Sequence, residues 1–140
     1  MNEAFKEAKK AYDIDEVPVG AVIVKDGAVV ATGHNRVVID NDPTAHGEMV
    51  AIRNACKVLH TFDLSGCELY TTSEPCPMCK CGIMWANIDK VYYGCTVEDA
   101  ASIGFRDVAF ATQSPDQYQL DRESCLELFA RYQRLDTTSY

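Results

Sequence analysis

Two short segments, His46-Gly47-Glu48 and Pro75-Cys76-Pro77-Met78-Cys79, place the strongest demand on how this chain folds. They stand 30 residues apart, counted from His46 to Cys76, and a fold that uses both must bring them to one point. One imidazole and two thiolates make three zinc ligands, and a tetrahedral ion held by three protein groups keeps its fourth position for water. Zinc lowers the pKa of that water enough to give a nucleophile near neutral pH. Glu48 is not needed as a ligand, so its carboxylate is free to serve in turn as general base and general acid. If His46 and Glu48 open a helix, the imidazole can reach the metal while the carboxylate reaches the water and a substrate. Cys76 and Cys79 are three apart, so at a helix N-terminus both sulfurs can face one centre. The positive end of the helix there favours thiolates.

Taken singly, these pieces have plainer meanings. A Cys-x-x-Cys pair alone fits structural zinc or a thioredoxin-like redox couple, and a His-x-Glu alone says little. A redox pair has no need of His-x-Glu on another helix. A structural site wants a fourth Cys or His at regular spacing, and His34 and His60 are not so placed. Cys81, two residues beyond Cys79, turns about 200° away on a helix and is excluded as a ligand. The spacing therefore points to one catalytic zinc ion per chain.

The remaining composition narrows the class. A chain of 140 residues suits one domain with a real core. No apolar run has the length of a membrane span, and the charged amphipathic start does not read as a secretory signal. Seven cysteines at irregular spacing, two of them wanted as thiolates, suit a reducing compartment, and the cytoplasm is the expected location. The net charge is −8. Lys6, Lys9 and Lys10 are interleaved with Glu3 and Glu7, which reads as a solvated helix face. Phosphate backbones are bound by unmixed Lys and Arg, so a small neutral substrate is expected and a nucleic acid partner is not.

Along the chain, residues 2–12 read as an amphipathic helix carrying Ala4, Phe5, Ala8, Ala11 and Tyr12. Residues 17–24 and 28–32 read as a hairpin about Asp26-Gly27. Asp40 to Thr44 is a polar turn, and a helix follows to about residue 60. A strand over 69–72 leads into the cysteine motif, which opens a helix over 77–86. A strand over 90–93 ends at Gly94, 97–102 reads as a helical turn, 108–111 as a weak strand, and 123–135 as a last helix with Leu126, Leu128, Phe129 and Tyr132 on its apolar face. Helices alternating with strands imply an α/β fold, a three-layer α/β/α sandwich about a mixed sheet of about five strands.

The His-x-Glu and Pro-Cys-x-x-Cys pair marks a resemblance to the cytidine deaminase-like superfamily over nearly the whole chain. Glu16-Val17-Pro18-Val19-Gly20-Ala21-Val22 is similar to the tRNA adenosine deaminase branch. Asn41-Asp42-Pro43-Thr44-Ala45-His46, Ala51 to Cys56, Ser73 to Cys79 and Ala100 to Asp107 are more similar to guanine deaminases. So is the terminal Ser139-Tyr140. The resemblance implies that Asn35 hydrogen-bonds the base edge and that Asp107 receives the amine or assists proton movement. It also implies that Trp85 lines the pocket, that Tyr140 caps it, and that the backbone amide of Cys76 touches the ring beside the reacting carbon. It further implies a homodimer in which the C-terminal tail closes over the partner's site, as a domain swap.

Two positions depart from the guanine deaminase pattern. Gly47 replaces the usual alanine, as in fungal cytosine deaminases, and Val19 replaces a phenylalanine that faces the base. The expectation is deamination of a free nucleobase, guanine first. Cytosine, guanosine, an aminotriazine or a pterin are the alternatives of the same chemistry. A tRNA adenosine is disfavoured by charge, and a non-catalytic zinc-stabilised binding module by the intact Glu48.

Overall fold

The structure, a computed structural model, describes residues 1–135. Helix α1 (Asn2–Tyr12) leads into the hairpin β1 (Gly20–Lys25) and β2 (Ala28–His34). Then come α2 (Gly47–Leu59), β3 (Cys67–Ser73), α3 (Pro77–Trp85) and β4 (Lys90–Cys95). Three further helices follow, α4 (Val97–Ser102), α5 (Asp107–Phe110) and α6 (Arg122–Tyr132). Asp26 and Gly27 both take positive φ, 51° and 78°, the pairing a type I′ hairpin turn requires. Pro18 lacks an N–H, and β1 starts only at Gly20, later than the expected residue 17.

The sheet has four strands among the described residues, in the order β2-β1-β3-β4. β1 is antiparallel to both β2 and β3, while β3 and β4 are parallel and joined through α3. The expected fifth strand is absent: residues 107–110 form the single helical turn α5. That run contains Ala109 beside Val108 and Phe110, and Asp107 in its first turn complements the helix N-terminus. The local chemistry therefore favours a helical turn where no strand pairs with the outer edge of β4.

Alternation along β1 decides the layers. Ala21 and Ile23 join Ala51, Ile52, Ala55, Leu69, Ile83 and Ile88 in one core between the sheet and helices α2 and α3. Gly20 faces the other way, onto α1. A Cβ at Gly20 would meet Ala4 O and Ala8 N at 2.3 Å, so glycine is what lets α1 lie flat on the sheet. The free edge of β2 is partly closed by Asn54, whose Nδ2 donates to Thr32 O at 2.9 Å. From Ala111 to Leu135 every residue is exposed, including the apolar face expected of α6. No helix among the described residues is long and apolar enough to cross a membrane.

Candidate active site

Both halves of the motif sit at helix starts. His46 is the N-cap of α2, with Gly47 and Glu48 as the first two helical residues. An Asp42 turn prepares this start: its Oδ1 accepts from Thr44 N at 2.8 Å and from Thr44 Oγ1 at 2.7 Å. Cys76 is the N-cap of α3, and Pro77 occupies the first turn, where a missing N–H costs nothing. Cys79 lies one turn in, fully buried.

The two helix starts converge. Both sulfurs stand 3.6 Å from His46 Nδ1, and one ligand atom from each of the three residues lies within 4.8 Å of the others. A tetrahedral zinc with ordinary Zn–N and Zn–S bonds spaces its nitrogen and sulfur ligands about 3.6 Å apart. The triad therefore fits zinc without rearrangement, and Nδ1 is the histidine atom that would bind it. The Cys79 thiol, with His46, holds the Cys76 thiol down to about 4, while Cys79 itself is pushed up. The Cys76 hydrogen bond in turn raises His46.

Glu48 is 3 % exposed, and burial pushes its carboxyl up to about 7, with the Cys76 charge adding to the effect. Its own backbone N–H and His46 oppose the rise. Asp107 is raised too, first by burial and then by Cys76. Both carboxyls line a cavity of about 920 Å³ together with His46, Cys76, Asn35 and Val19. Asn35 is buried, and its Oδ1 accepts from Gly47 N at 2.8 Å. That contact ties the expected base-reading residue directly to the metal helix and leaves its Nδ2 as the donor.

Trp85 does not join this group. It is 67 % exposed and absent from the cavity wall. Six residues beyond Cys79, it lies about 120° round the helix from that ligand. Tyr140 falls outside the described residues. Two residues that the motif reading passed over do contribute. The buried Glu16 lines the cavity, and its Oε1 accepts from Val38 N at 2.7 Å and Ile39 N at 2.8 Å, fixing the turn after Asn35. Glu74 bridges two elements, pairing with Lys80 at 3.0 Å and accepting from Val97 N at 3.2 Å at the start of α4. Each acid sits within a segment already singled out, Glu16-Val17-Pro18 or Ser73-Glu74-Pro75, and only the folded contacts reveal what it holds.

Residues 1–95 match the family described as the cytidine and deoxycytidylate deaminase zinc-binding region. The chain belongs to this deaminase family. Among its relatives, a guanine deaminase of Bacillus subtilis is 57% identical over 90 residues, covering 64% of this chain and 58% of that enzyme. A tRNA-specific adenosine deaminase of Agrobacterium fabrum is 42% identical over 144 residues, covering 97% of this chain and 95% of its own length. The chain spans about three fifths of the length of the first curated relatives it matches. A crystal structure of guanine deaminase from Bacillus subtilis superposes with a TM-score of 0.91 at 38% identity, covering 99% of this chain and 94% of that one. The His46, Cys76 and Cys79 group is thus the zinc site of a deaminase-family domain.

Proposed function

We propose that the chain is a zinc-dependent hydrolase that deaminates a free purine-like base, guanine first. The observation that carries this reading is the likeness to a guanine deaminase structure across 99% of the chain, well beyond residue 95 where the family match ends. When bound, zinc supplies a water acidic enough to act as nucleophile at neutral pH. Glu48 takes the water's proton and delivers protons to the ring nitrogen and the departing amine. It lines the same cavity as His46 and Cys76, so one carboxylate can serve both duties there. Asn35, its Oδ1 already committed to Gly47, offers Nδ2 to an acceptor on the base edge, such as a ring carbonyl. Asp107 faces the same cavity and accepts from the amine as it leaves.

An ammonia-release assay of the zinc-loaded protein against guanine, guanosine, cytosine, adenine, a pterin and aminotriazines tests the substrate. Guanine is expected to give the highest kcat/KM, and greater turnover of cytosine or of the nucleoside would displace it.

A second reading, deamination of adenosine in tRNA, is supported by the identity to the Agrobacterium enzyme over nearly the whole chain. Charge argues against it. The chain carries −8, and Lys6 and Lys10 are engaged by Glu3 and Glu7 on the same helix. We expect tRNA binding at physiological salt to be weaker than about 10 µM, within the nonspecific range. Fluorescence anisotropy showing tighter, saturable binding would favour the tRNA reading instead.

The assembly we propose is a homodimer that exchanges its C-terminal segments. The cavity extends past any single base along Phe5, Tyr12, Val38, Ile103 and Phe105. The exposed α6 carries Leu126, Leu128, Phe129 and Tyr132 of matching character.

A further inference from the structure

Beyond β4 the chain leaves the sheet and returns to the site as an arm. Residues 97–110 carry α4 and α5, and Asp99, Ala100, Ile103, Phe105 and Asp107 from this arm line the cavity. The arm is well tied within itself. Thr96 and Asp99 form a reciprocal capping box at the start of α4, and Phe105 N donates to Ala100 O at 3.2 Å where α4 gives way to α5. Its polar attachment to the body of the protein is slight. Among the described residues, one hydrogen bond joins residues 97–110 to the sheet and the helices before it, from Val97 N to Glu74 Oε2 at 3.2 Å. The other oxygen of that carboxylate pairs with Lys80 Nζ on α3 at 3.0 Å, and Lys80 donates its own N–H to Cys76 O at 2.9 Å. Glu74 N donates to Cys95 O at 2.7 Å, which fixes its main chain between the ends of β3 and β4. One carboxylate therefore stands between the helix that carries both cysteines and the arm that carries Asp107.

We propose that Glu74 is a positioning residue for the reaction: its carboxylate latches the start of α4 to the zinc helix α3 and so holds Asp107 at the site. The inference rests on the reading of this cavity as a deaminase substrate site in which Asp107 accepts from the departing amine. The mechanical argument is direct. A bond to the first N–H of a helix fixes the direction in which that helix sets out. The arm beyond is tied within itself, so α5 and Asp107 follow that direction. A carboxylate suits this post, because it also faces the positive end of α4. With the bond gone, only chain connection at Thr96 and apolar contact hold the arm in place. A small turn at Thr96 then reaches Asp107 as a displacement, and a misplacement of about 1 Å is enough to lower a rate by about a hundredfold.

The test uses the zinc-loaded, nitrogen-15-labelled full chain. Val97→Pro removes the donor from the arm's side and leaves the metal motif untouched. Proline suits the first position of a helix, and Thr96 before it is extended, with ψ 169°, as a residue preceding proline requires. Glu74→Ala removes the acceptor and keeps the main-chain bond to Cys95. Both variants should hold one zinc per chain and shift the Asp107 amide signal. The Asn54 side-chain signal, which reports on the bond to Thr32 O, should stay in place. For whichever base the unsubstituted enzyme turns over, kcat and kcat/KM should fall together by at least about tenfold in each variant. In an Asp107→Asn background the same changes should lower kcat by less than about twofold, because a residue that acts through Asp107 has nothing left to position. Glu74→Gln still offers an oxygen to Val97 N and should stay within about threefold of the parent. An unmoved Asp107 signal, parental kinetics in Val97→Pro, or a full further loss in the Asp107→Asn background would overturn the proposal. So would loss of zinc from Glu74→Ala, which would make Glu74 a support of the metal site. If Glu74→Ala does not fold, Val97→Pro carries the test alone. If the unsubstituted enzyme deaminates no base, the substrate reading has failed, and the Asp107 signals decide the role of Glu74 by themselves.

Discussion

Glu48→Gln should hold one zinc per chain and lose at least about a thousandfold in kcat, the combined effect of removing one group from several proton transfers. The metal is expected to stay because Glu48 is not one of the three groups that meet at the site. The fold is expected to stay because glutamine fills the same volume, and a neutral amide avoids the burial penalty that raises the carboxyl to about 7. The metal-free variant should therefore melt no lower than the metal-free parent. Metal analysis, ammonia release and calorimetry on the same preparation separate these outcomes. Loss of zinc would make Glu48 a structural support for the triad, and kcat within tenfold of the parent would remove it from the chemistry.

The zinc site was legible in the sequence because its geometry is local. An N-cap histidine and a Cys-x-x-Cys at a second N-cap are fixed by spacing within a few residues. The only long-range step, bringing two helix starts together, is forced by the metal chemistry itself. Asn35 was reached through resemblance and Asp107 likewise, and both do line the cavity. What the sequence withheld depends on packing between distant segments. Nothing in Glu16 announces that it holds the turn at Val38 and Ile39. Trp85, reached through the same resemblance, lies six residues of helix round from Cys79 on the exposed side of α3. The fifth strand was misplaced for want of a local signal. A four-residue apolar run has no intrinsic preference strong enough to choose strand over helix, and pairing with a neighbour decides.

The exposed C-terminal segment gives the second large effect. Leu126, Leu128, Phe129, Tyr132 and Leu135 are all exposed on or beside α6, and Phe5, Tyr12 and Ile103 are exposed along the cavity. Burying one such side chain contributes about 1.5–3 kcal/mol. Five of them contribute roughly 10 kcal/mol, comparable to the cost of association, about 4–15 kcal/mol. One arm laid on one neighbour would thus be marginal. Two arms exchanged reciprocally double the gain against a single association cost, which is the physical advantage of a swapped dimer. The full chain should therefore elute at twice its monomer mass at micromolar concentration. Deleting residues 111–140 should give a monomer that still binds one zinc, because His46, Cys76 and Cys79 lie outside the deleted segment. Its kcat/KM should fall by about a hundredfold, some 2.7 kcal/mol of transition-state stabilisation, because an uncovered site no longer excludes water from Glu48 and the metal. A truncated protein that stays dimeric would locate the interface on other elements. A truncated monomer with full activity would show that the site is complete within one chain, and would leave the apolar length of the cavity without a role in catalysis.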